Sequence, residues 1–482
     1  MTEQKGFPIY RGQMQYVCQG CGAVFQGEEL YYTCPECSEV FLLQDLHFPR
    51  LQETSGAEWR RIFQERALSP WPALQGIFRF YELIAPILET EDIIYLGEGQ
   101  TPVIWASPKL QKYMDHAFAF KNEGQNPSAS FKDRGMACAF SYLKAMVRKK
   151  GWQQVLTVCA STGDTSASAA MYAAYVGGAI KSVVLLPQGR VTPQQLGQPL
   201  GSGALVLELP GVFDDCMRVV QYLAENYRVA LLNSKNSWRI LGQESYAFEL
   251  AQHFDWSLKG KAVFVPIGNA GNISAIMAGF LKLYELGLIT ALPRIFGVQS
   301  AHADPVFRYY RQSPENREYS PVQVQSSVAQ AAMIGNPVSF PRVRSLVRKY
   351  EKHGGPGSFQ VLQVQEQEIM DCMLLANSHG HIACTQGGEC LAGLLKAKEM
   401  QILDRSEEAV LNATAHSLKF QDFQNLYFQD ALGPEYRIKT RPELQNYPQC
   451  ILDAESRNGL EEQEYISRAA KEIVHKLGLE QA

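Results

Sequence analysis

Long apolar runs are missing from this chain. No window reaches the roughly 20 residues that a membrane-spanning helix needs, and the opening Met1-Thr2-Glu3-Gln4-Lys5-Gly6 leads into no hydrophobic stretch, so neither a signal peptide nor a transmembrane helix is expected. Blocks of like charge are missing too. The 45 Lys and Arg nearly balance 49 Asp and Glu, for a formal net charge of -4 over 482 residues, which gives no electrostatic handle for a nucleic acid or a membrane surface. No repeat at fixed period and no low-complexity tract occurs. What remains is 46% hydrophobic and 20% charged, enough to bury two or three cores. A soluble, cytoplasmic protein acting on a small molecule is expected.

Disulfides are the next thing to weigh. Eleven cysteines are present, but four cluster near the start and the rest are scattered, which suits a reducing compartment with a metal site better than a disulfide framework. The clustered four form two Cys-x-x-Cys knuckles, Cys18 with Cys21 and Cys34 with Cys37. Each knuckle is expected to follow short β-like residues, and together they can place four thiolates tetrahedrally around Zn²⁺. A closed four-sulfur shell has no open position, so the zinc would be structural. The alternatives are a site that has lost its metal or a redox pair. Few Lys or Arg lie between the knuckles, which argues against a nucleic-acid ribbon.

From about His47 to Leu96 the chain reads as a mostly helical connector, and Leu96–Val103 is rich in turn residues. Strand and helix then alternate. Ala117–Lys121, Gln154–Cys159, Ser182–Pro187, Ala204–Leu209 and Arg228–Leu232 read as strands, as do Lys261–Ile267 and Pro293–Val298, which flank a long helix. Near-continuous apolar runs separated by helices indicate parallel sheets covered on both faces. The fold class is therefore α/β in two lobes, with a ligand cleft between them.

Asn126-Pro127-Ser128-Ala129-Ser130-Phe131-Lys132-Asp133-Arg134-Gly135 places one lysine at the start of a helix behind a turn. Asn126-Pro127 forces an extended or turn conformation, Ser128 or Ser130 is available to cap the helix, and Gly135 allows it to pack closely. A lysine held there suits a Schiff base with a cofactor aldehyde; an isolated Ser-Phe-Lys would simply be a surface lysine. Gly268-Asn269-Ala270-Gly271-Asn272 follows a strand and precedes a helix, the setting of a phosphate cradle on a helix N-terminus. Ser161-Thr162-Gly163-Asp164-Thr165 sits likewise between strand and helix, where it can bind a carboxylate or merely cap. Thr414 offers a hydroxyl to a heterocycle nitrogen.

Lysine, phosphate cradle, anion loop and late Thr are the set that pyridoxal phosphate (PLP) requires. The set resembles the tryptophan-synthase-β-like, fold type II PLP enzymes and, within them, the threonine synthases. The resemblance implies Lys132 as the Schiff-base lysine, Gly268 to Asn272 on the cofactor phosphate and Thr414 on the ring nitrogen. Ser161, Thr162 and Thr165 would meet the substrate carboxylate, with Asp164 near the cofactor 3'-oxygen where many relatives have Asn. Asn233-Ser234-Lys235-Asn236-Ser237-Trp238-Arg239 is similar to the segment that grips the substrate phosphate in threonine synthases, so Asn233, Ser234 and Arg239 take that role by resemblance. Arg suits a phosphate dianion through its forked donors and permanent charge.

The implied reaction converts O-phospho-L-homoserine and water to L-threonine and phosphate by γ-elimination and β-addition of water. The competing readings are a serine/threonine dehydratase or β-replacement enzyme on the same fold, and a non-catalytic metabolite sensor. The implied domains are a zinc ribbon over 1–47, a large PLP-binding domain over 48–135 and 246–420, a small α/β domain over 136–245, and a helical extension over 421–482. Cys372, His379, His381, Cys384 and Cys390 read as core and loop residues in preference to a second metal site. Ile466, Ala470, Ile473, Val474 and Leu477 recur at helical spacing, so the last helix is expected to pack on the body or on a partner subunit, a homodimer being usual for the fold.

Overall fold

The computed structural model describes residue 8 and residues 10–159, 163–188, 193–210 and 213–479. The first element is an antiparallel ribbon in the order β2-β1-β3, built from β1 (Met14–Cys18), β2 (Val24–Gln26) and β3 (Phe41–Asp45). Alternation in β1 buries Met14, Tyr16 and Cys18, as a half-covered strand requires. The first knuckle leaves β1 as expected. The second does not follow a strand: Tyr31 and Tyr32 precede it, Tyr31 packing within the ribbon and Tyr32 docking the ribbon on the body. Tyr31 meets Tyr16 edge-on with centroids 5.8 Å apart, and the Tyr32 hydroxyl reaches the Val229 carbonyl at 3.4 Å.

The connector is helical, as its sequence indicates. Ser55 caps the helix Gly56–Ala67 by accepting from the Glu58 amide at 3.2 Å, and Trp59 and Phe63 turn inward from it. Phe63 packs on Phe80 and Phe80 on Phe248, at centroid distances of 5.0 and 5.1 Å. The connector thus lies within the main core.

Two further sheets follow. β4 (Val103–Trp105) and β5 (Phe118–Asn122) begin the larger one. The chain then leaves to build a four-stranded parallel sheet, β6 (Val155–Cys159), β7 (Ile180–Pro187), β8 (Leu205–Leu209) and β9 (Val229–Leu231), in the order β8-β7-β6-β9. It returns for β10 (Lys261–Pro266), β11 (Arg294–Ser300), β12 (Phe359–Val364) and β13 (Glu408–Ala413). The large sheet runs β12-β11-β10-β13-β5-β4, parallel except where β4 meets β5. Its central strands are buried along almost their whole length, which is what their unbroken apolar sequences demand. The α/β reading with parallel-rich sheets is correct. Its expectation of cover on both faces fails at β8, one edge of its sheet, whose Leu205 and Leu207 are 56% and 42% exposed.

Of the two packing surfaces expected for the last helix, the body of this chain is not used among the described residues. The helix Gln421–Phe428 buries Tyr427, but the helix Glu462–Leu477 buries no residue, and Ile466, Ala470, Ile473, Val474 and Leu477 are all exposed. Its apolar stripe does not pack on the body of this chain among the described residues.

Candidate functional site

In parallel sheets, loops at the carboxyl ends of strands form the ligand crevice. Here the loops after β5, β9, β10 and β13 and the start of the helix after β6 supply residues to one solvent-open cleft. Lys132, Asp164, Ser234, Arg239, Gly268–Asn272 and Thr414 all line it.

The lysine turn is built from its neighbours. The Asn126 side chain accepts from the Gly99 amide at 3.0 Å and donates to the Glu123 carbonyl at 2.8 Å, and Ala129 adopts a left-handed φ of 62°. Ser128 and Ser130 do not cap the helix Lys132–Lys150, contrary to expectation. Phe131 is the cap position without a side-chain bond, and the Asp133 carboxylate works backwards into the turn. It accepts from the Ser128 amide at 2.6 Å, the Ser128 hydroxyl at 2.7 Å and the Ser168 hydroxyl. Burial pushes the Asp133 carboxyl up to about 6. Gly135 does permit close packing: a Cβ there would lie 2.7 Å from Gln243 Nε2 and 2.8 Å from the Arg239 carbonyl. The helix carrying Lys132 therefore rests directly on the helix Ser237–Gln243 carrying Arg239.

Behind the turn, Arg134 is buried and fully paired. It donates to Glu123 at 2.6 Å, to Glu249 at 2.7 and 2.8 Å, to Ser245 at 3.0 Å and to Thr101 at 2.9 Å. Lys121 adds a second cation, 3.1 Å from Glu249. Two cations against two carboxylates make the cluster neutral, so its field does not reach the cleft as a net charge.

Lys132 faces the cleft with Nζ 4.2 Å from the Phe131 ring centre. Burial, and after it the charge of Arg239, lower its amine to about 7, so a neutral nucleophile is available near neutral pH. Among the described residues Arg239 has no carboxylate partner. Its Nη1 donates to the Leu232 carbonyl at 2.7 Å and its Nε has no acceptor, while burial lowers the guanidinium to about 10. Asp164 is paired with Lys419 at 2.8 Å.

The cradle shows the geometry of a close backbone approach. Ala270 has a φ of 61°, a conformation that costs a non-glycine residue of order 1–3 kcal/mol, and the helix Gly271–Glu285 begins there. A Cβ at Gly268 would lie 2.9 Å from Ala332 Cα, and one at Gly271 3.0 Å from Ile240 Cδ1. The Asn272 amide nitrogen is buried without an acceptor. Free donors, a helix N-terminus and two depressed cations fit a phosphorylated cofactor carrying an aldehyde. Thr414 Oγ1 lies 3.6 Å from the Cys384 sulfur, which leaves its hydroxyl usable by a ring nitrogen.

Some expected residues are not brought in. Asn233 does not line the cleft; its side chain accepts from the Lys235 amide at 2.9 Å. Thr165 lies one residue into its helix and does not line it either. Ser161 and Thr162 fall outside the described residues. Conversely, Gln386 lines the cleft with both amide atoms buried and unpartnered, and Gln243 lines it too. A lone Gln on a helix carries no signal in sequence.

Away from the cleft, the Cys18, Cys21, Cys34 and Cys37 sulfurs lie within 4.8 Å of one another, the only such group of metal-binding side chains among the described residues. Cys18 to Cys37 is 3.3 Å and Cys21 to Cys34 is 3.7 Å, against about 3.8 Å between sulfurs in a tetrahedral zinc shell. The donor set fits zinc. The later cysteines and histidines go separate ways: His381 accepts from the Ser107 amide at 3.1 Å, and Cys390 faces the Phe264 carbonyl at 3.4 Å.

Residues 94–415 match the family model described as "Pyridoxal-phosphate dependent enzyme". The chain is 34% identical over 375 residues to threonine synthase 2, chloroplastic, of Arabidopsis thaliana, covering 77% of this chain and 70% of that one. It is 36% identical over 349 residues to threonine synthase of Methanocaldococcus jannaschii, covering 72% and 81%. Among solved structures, threonine synthase from Escherichia coli superposes with a TM-score of 0.61 at 19% identity, over 85% of this chain and 90% of that one. Maize serine racemase superposes with a TM-score of 0.54 at 17% identity, over 74% and 98%. Structures so distant share the fold, and the fold alone does not choose between their reactions.

Proposed function

The chain belongs to the pyridoxal-phosphate dependent enzymes and, among them, to the threonine synthases, and from that premise we propose how its own residues perform the reaction. The enzyme is a PLP-dependent lyase that converts O-phospho-L-homoserine and water to L-threonine and phosphate. Lys132 would hold the cofactor through its aldehyde carbon, Gly268 to Asn272 would hold its phosphate, and Thr414 and Asp164, the latter restrained by Lys419, would serve its ring nitrogen and ring oxygen. Bound there, the cofactor supplies an electron sink for charge that develops at the substrate Cα.

The protein's part is binding and proton transfer. Arg239 and Ser234 bind the substrate phosphate, and the missing carboxylate partner of Arg239 is filled by the phosphate oxygens. Lys132 Nζ, neutral near pH 7, takes a proton from Cα and serves as the proton carrier at Cβ. The Cγ–O bond breaks with the electron pair leaving on phosphate. Cβ gives up one proton, Cγ gains one and becomes the methyl group, and another returns to Cα. Water adds its hydroxide to Cβ while its proton goes to the departed phosphate. Ser161 and Thr162 take the substrate carboxylate.

The observation that carries this reading is that the nucleophilic lysine, the strained cradle and an unpaired buried arginine converge on one cleft. The deciding experiment incubates PLP-loaded protein with O-phosphohomoserine and quantifies phosphate, threonine and 2-ketobutyrate together. Equal phosphate and threonine is the expected result; phosphate with 2-ketobutyrate identifies an eliminating lyase, and no phosphate sinks the reading. Arg239→Ala should raise KM for the phosphorylated substrate by about tenfold or more; an unchanged KM would point to a dehydratase.

Zinc in the ribbon is part of the same proposal. So are a homodimer and a cytoplasmic location; none of the eleven cysteines is in a disulfide, which suits a reducing compartment.

A further inference from the structure

Arg342, on the helix Phe340–Gly354, is fully buried and none of its hydrogen-bond partners is a carboxylate. Its Nε donates to the Phe41 carbonyl of β3 at 2.6 Å. Nη1 donates to the Ser234 carbonyl at 2.7 Å and to the Ser339 hydroxyl at 2.8 Å. Nη2 donates to the Lys235 carbonyl at 3.0 Å and to the Ser237 hydroxyl at 3.3 Å. All five acceptors are neutral. Taking an ion from water without a counter-ion costs several kcal/mol, and a nonpolar or neutral side chain would avoid that cost. The position instead holds a cation next to the equally unpaired Arg239.

The five contacts join three pieces of chain. These are also tied directly, the Ser237 hydroxyl donating to the Phe41 carbonyl at 3.0 Å and the Ser339 hydroxyl donating to the Ser234 carbonyl at 3.4 Å. Ser234 and Lys235 belong to the loop after β9, and Ser237 opens the helix that carries Arg239. Phe41 belongs to the ribbon. Ser339 connects to the cradle, donating through its amide to the Asn269 carbonyl at 3.0 Å. With the Ser234 and Lys235 carbonyls drawn back toward Arg342, the Ser234 side chain is left on the cleft side, where it lines the site. The ribbon is fixed to the same helix by a second contact, Trp238 Nε1 donating to the Tyr16 hydroxyl at 3.1 Å.

We propose that Arg342 is a positioning residue for recognition of the substrate phosphate, clamping the Ser234–Arg239 segment against the ribbon strand so that the ribbon serves as the rear wall of that subsite. The assignment rests on the reading of Ser234 and Arg239 given above. A planar five-donor fork is the one side chain that can hold these acceptors at once. Its uncompensated charge adds to that of Arg239 and favours a dianion over a neutral group.

The test compares Arg342→Lys, Arg342→Gln and Ser237→Ala with the parent enzyme, all loaded with PLP. Binding of inorganic phosphate and of unphosphorylated homoserine is followed by the change each makes in the cofactor absorbance spectrum, alongside KM, kcat, bound cofactor and Tm. For Arg342→Gln, phosphate affinity should fall about tenfold and KM rise in parallel, with kcat within about threefold and homoserine affinity unchanged. Arg342→Lys, which keeps charge but not the fork, should lie between, and Ser237→Ala should weaken phosphate by about threefold. Equal weakening of homoserine and phosphate would overturn the assignment, because it marks general loosening of the site; so would unchanged phosphate affinity. Should Arg342→Gln fail to fold, Arg342→Lys and Ser237→Ala decide by the same ratio. If the parent enzyme binds phosphate but does not turn over O-phosphohomoserine, the activity reading fails while the phosphate comparison still judges Arg342.

Discussion

A lysine that must attack an aldehyde near neutral pH has to shed its proton first, and Lys132 is placed to do so. Burial and the adjacent Arg239 charge lower its amine from 10.5 to about 7. The neutral fraction therefore rises with pH through about 7, and reconstitution of cofactor-free protein with PLP should accelerate with a midpoint there, not near 10.5. Replacing Arg239 by Gln removes a positive neighbour, raises the Lys132 pKa and should move the midpoint to higher pH. Stopped-flow absorbance across pH 5 to 10 measures both; coincident profiles for the two proteins would refute the coupling. Single residues were legible where chemistry is packed into contiguous sequence. Lys132 sits in a ten-residue motif and Gly268 between a strand and a helix, so local chain order announces them. Gln386 and Arg342 were invisible, because each acquires meaning only from segments far apart in the chain. Asp133 shows a subtler failure: the expected direction of capping, serine to helix, is reversed once burial makes its carboxylate seek three donors.

At the scale of elements, two glycines decide how closely the lysine helix meets the arginine helix. Gly135 faces the Arg239 carbonyl, and Gly242 faces the Arg134 carbonyl and the Cys138 Cβ; two side chains there would push the helices apart and take Lys132 from Arg239. The glycine in the lysine motif made this contact foreseeable, but its partner on the other helix carried no motif. The ribbon is similarly half legible. Its four cysteines announced the four-sulfur cluster, whereas its docking through Tyr16, Tyr32 and Phe41 depends on surfaces no spacing reveals. Cys21→Ser should reduce zinc from about one ion per chain to none and lower Tm. Because Tyr16 is hydrogen-bonded to Trp238, tryptophan fluorescence should change with it. Unchanged metal content in that variant would show that the four sulfurs do not form the shell.

Across the whole molecule, alternation of apolar strands and helices made the α/β architecture and its cleft readable, since parallel sheets leave few other ways to bury such runs. Helical periodicity at the far end left two surfaces open, the body and a partner subunit. Ile466, Ile473 and Val474 do form a stripe, but period alone cannot say against what a stripe packs, and here the body does not cover it. Truncation after residue 459 should therefore shift Tm by less than about 2 °C and leave kcat/KM unchanged, by calorimetry and steady-state kinetics. A marked loss of stability together with a fall in particle mass would show that the helix is covered by another copy of the chain.

One guanidinium also closes a long excursion of the chain. Arg134, on the outgoing helix, is bonded to Ser245, 111 residues later, and to Glu249 beyond it. Between these points lie the four-stranded sheet and Asp164, Ser234 and Arg239, whereas Lys132, Gly268 to Asn272 and Thr414 lie outside. The groups proposed to choose the substrate thus travel in a cassette whose two ends are already stapled together, and those proposed to hold the cofactor, Asp164 excepted, stay in the frame that receives it. Joining ends that already meet asks little of loop-closure entropy. A fold wired this way can exchange its selectivity as one contiguous piece of gene while its reactive lysine stays anchored in the frame.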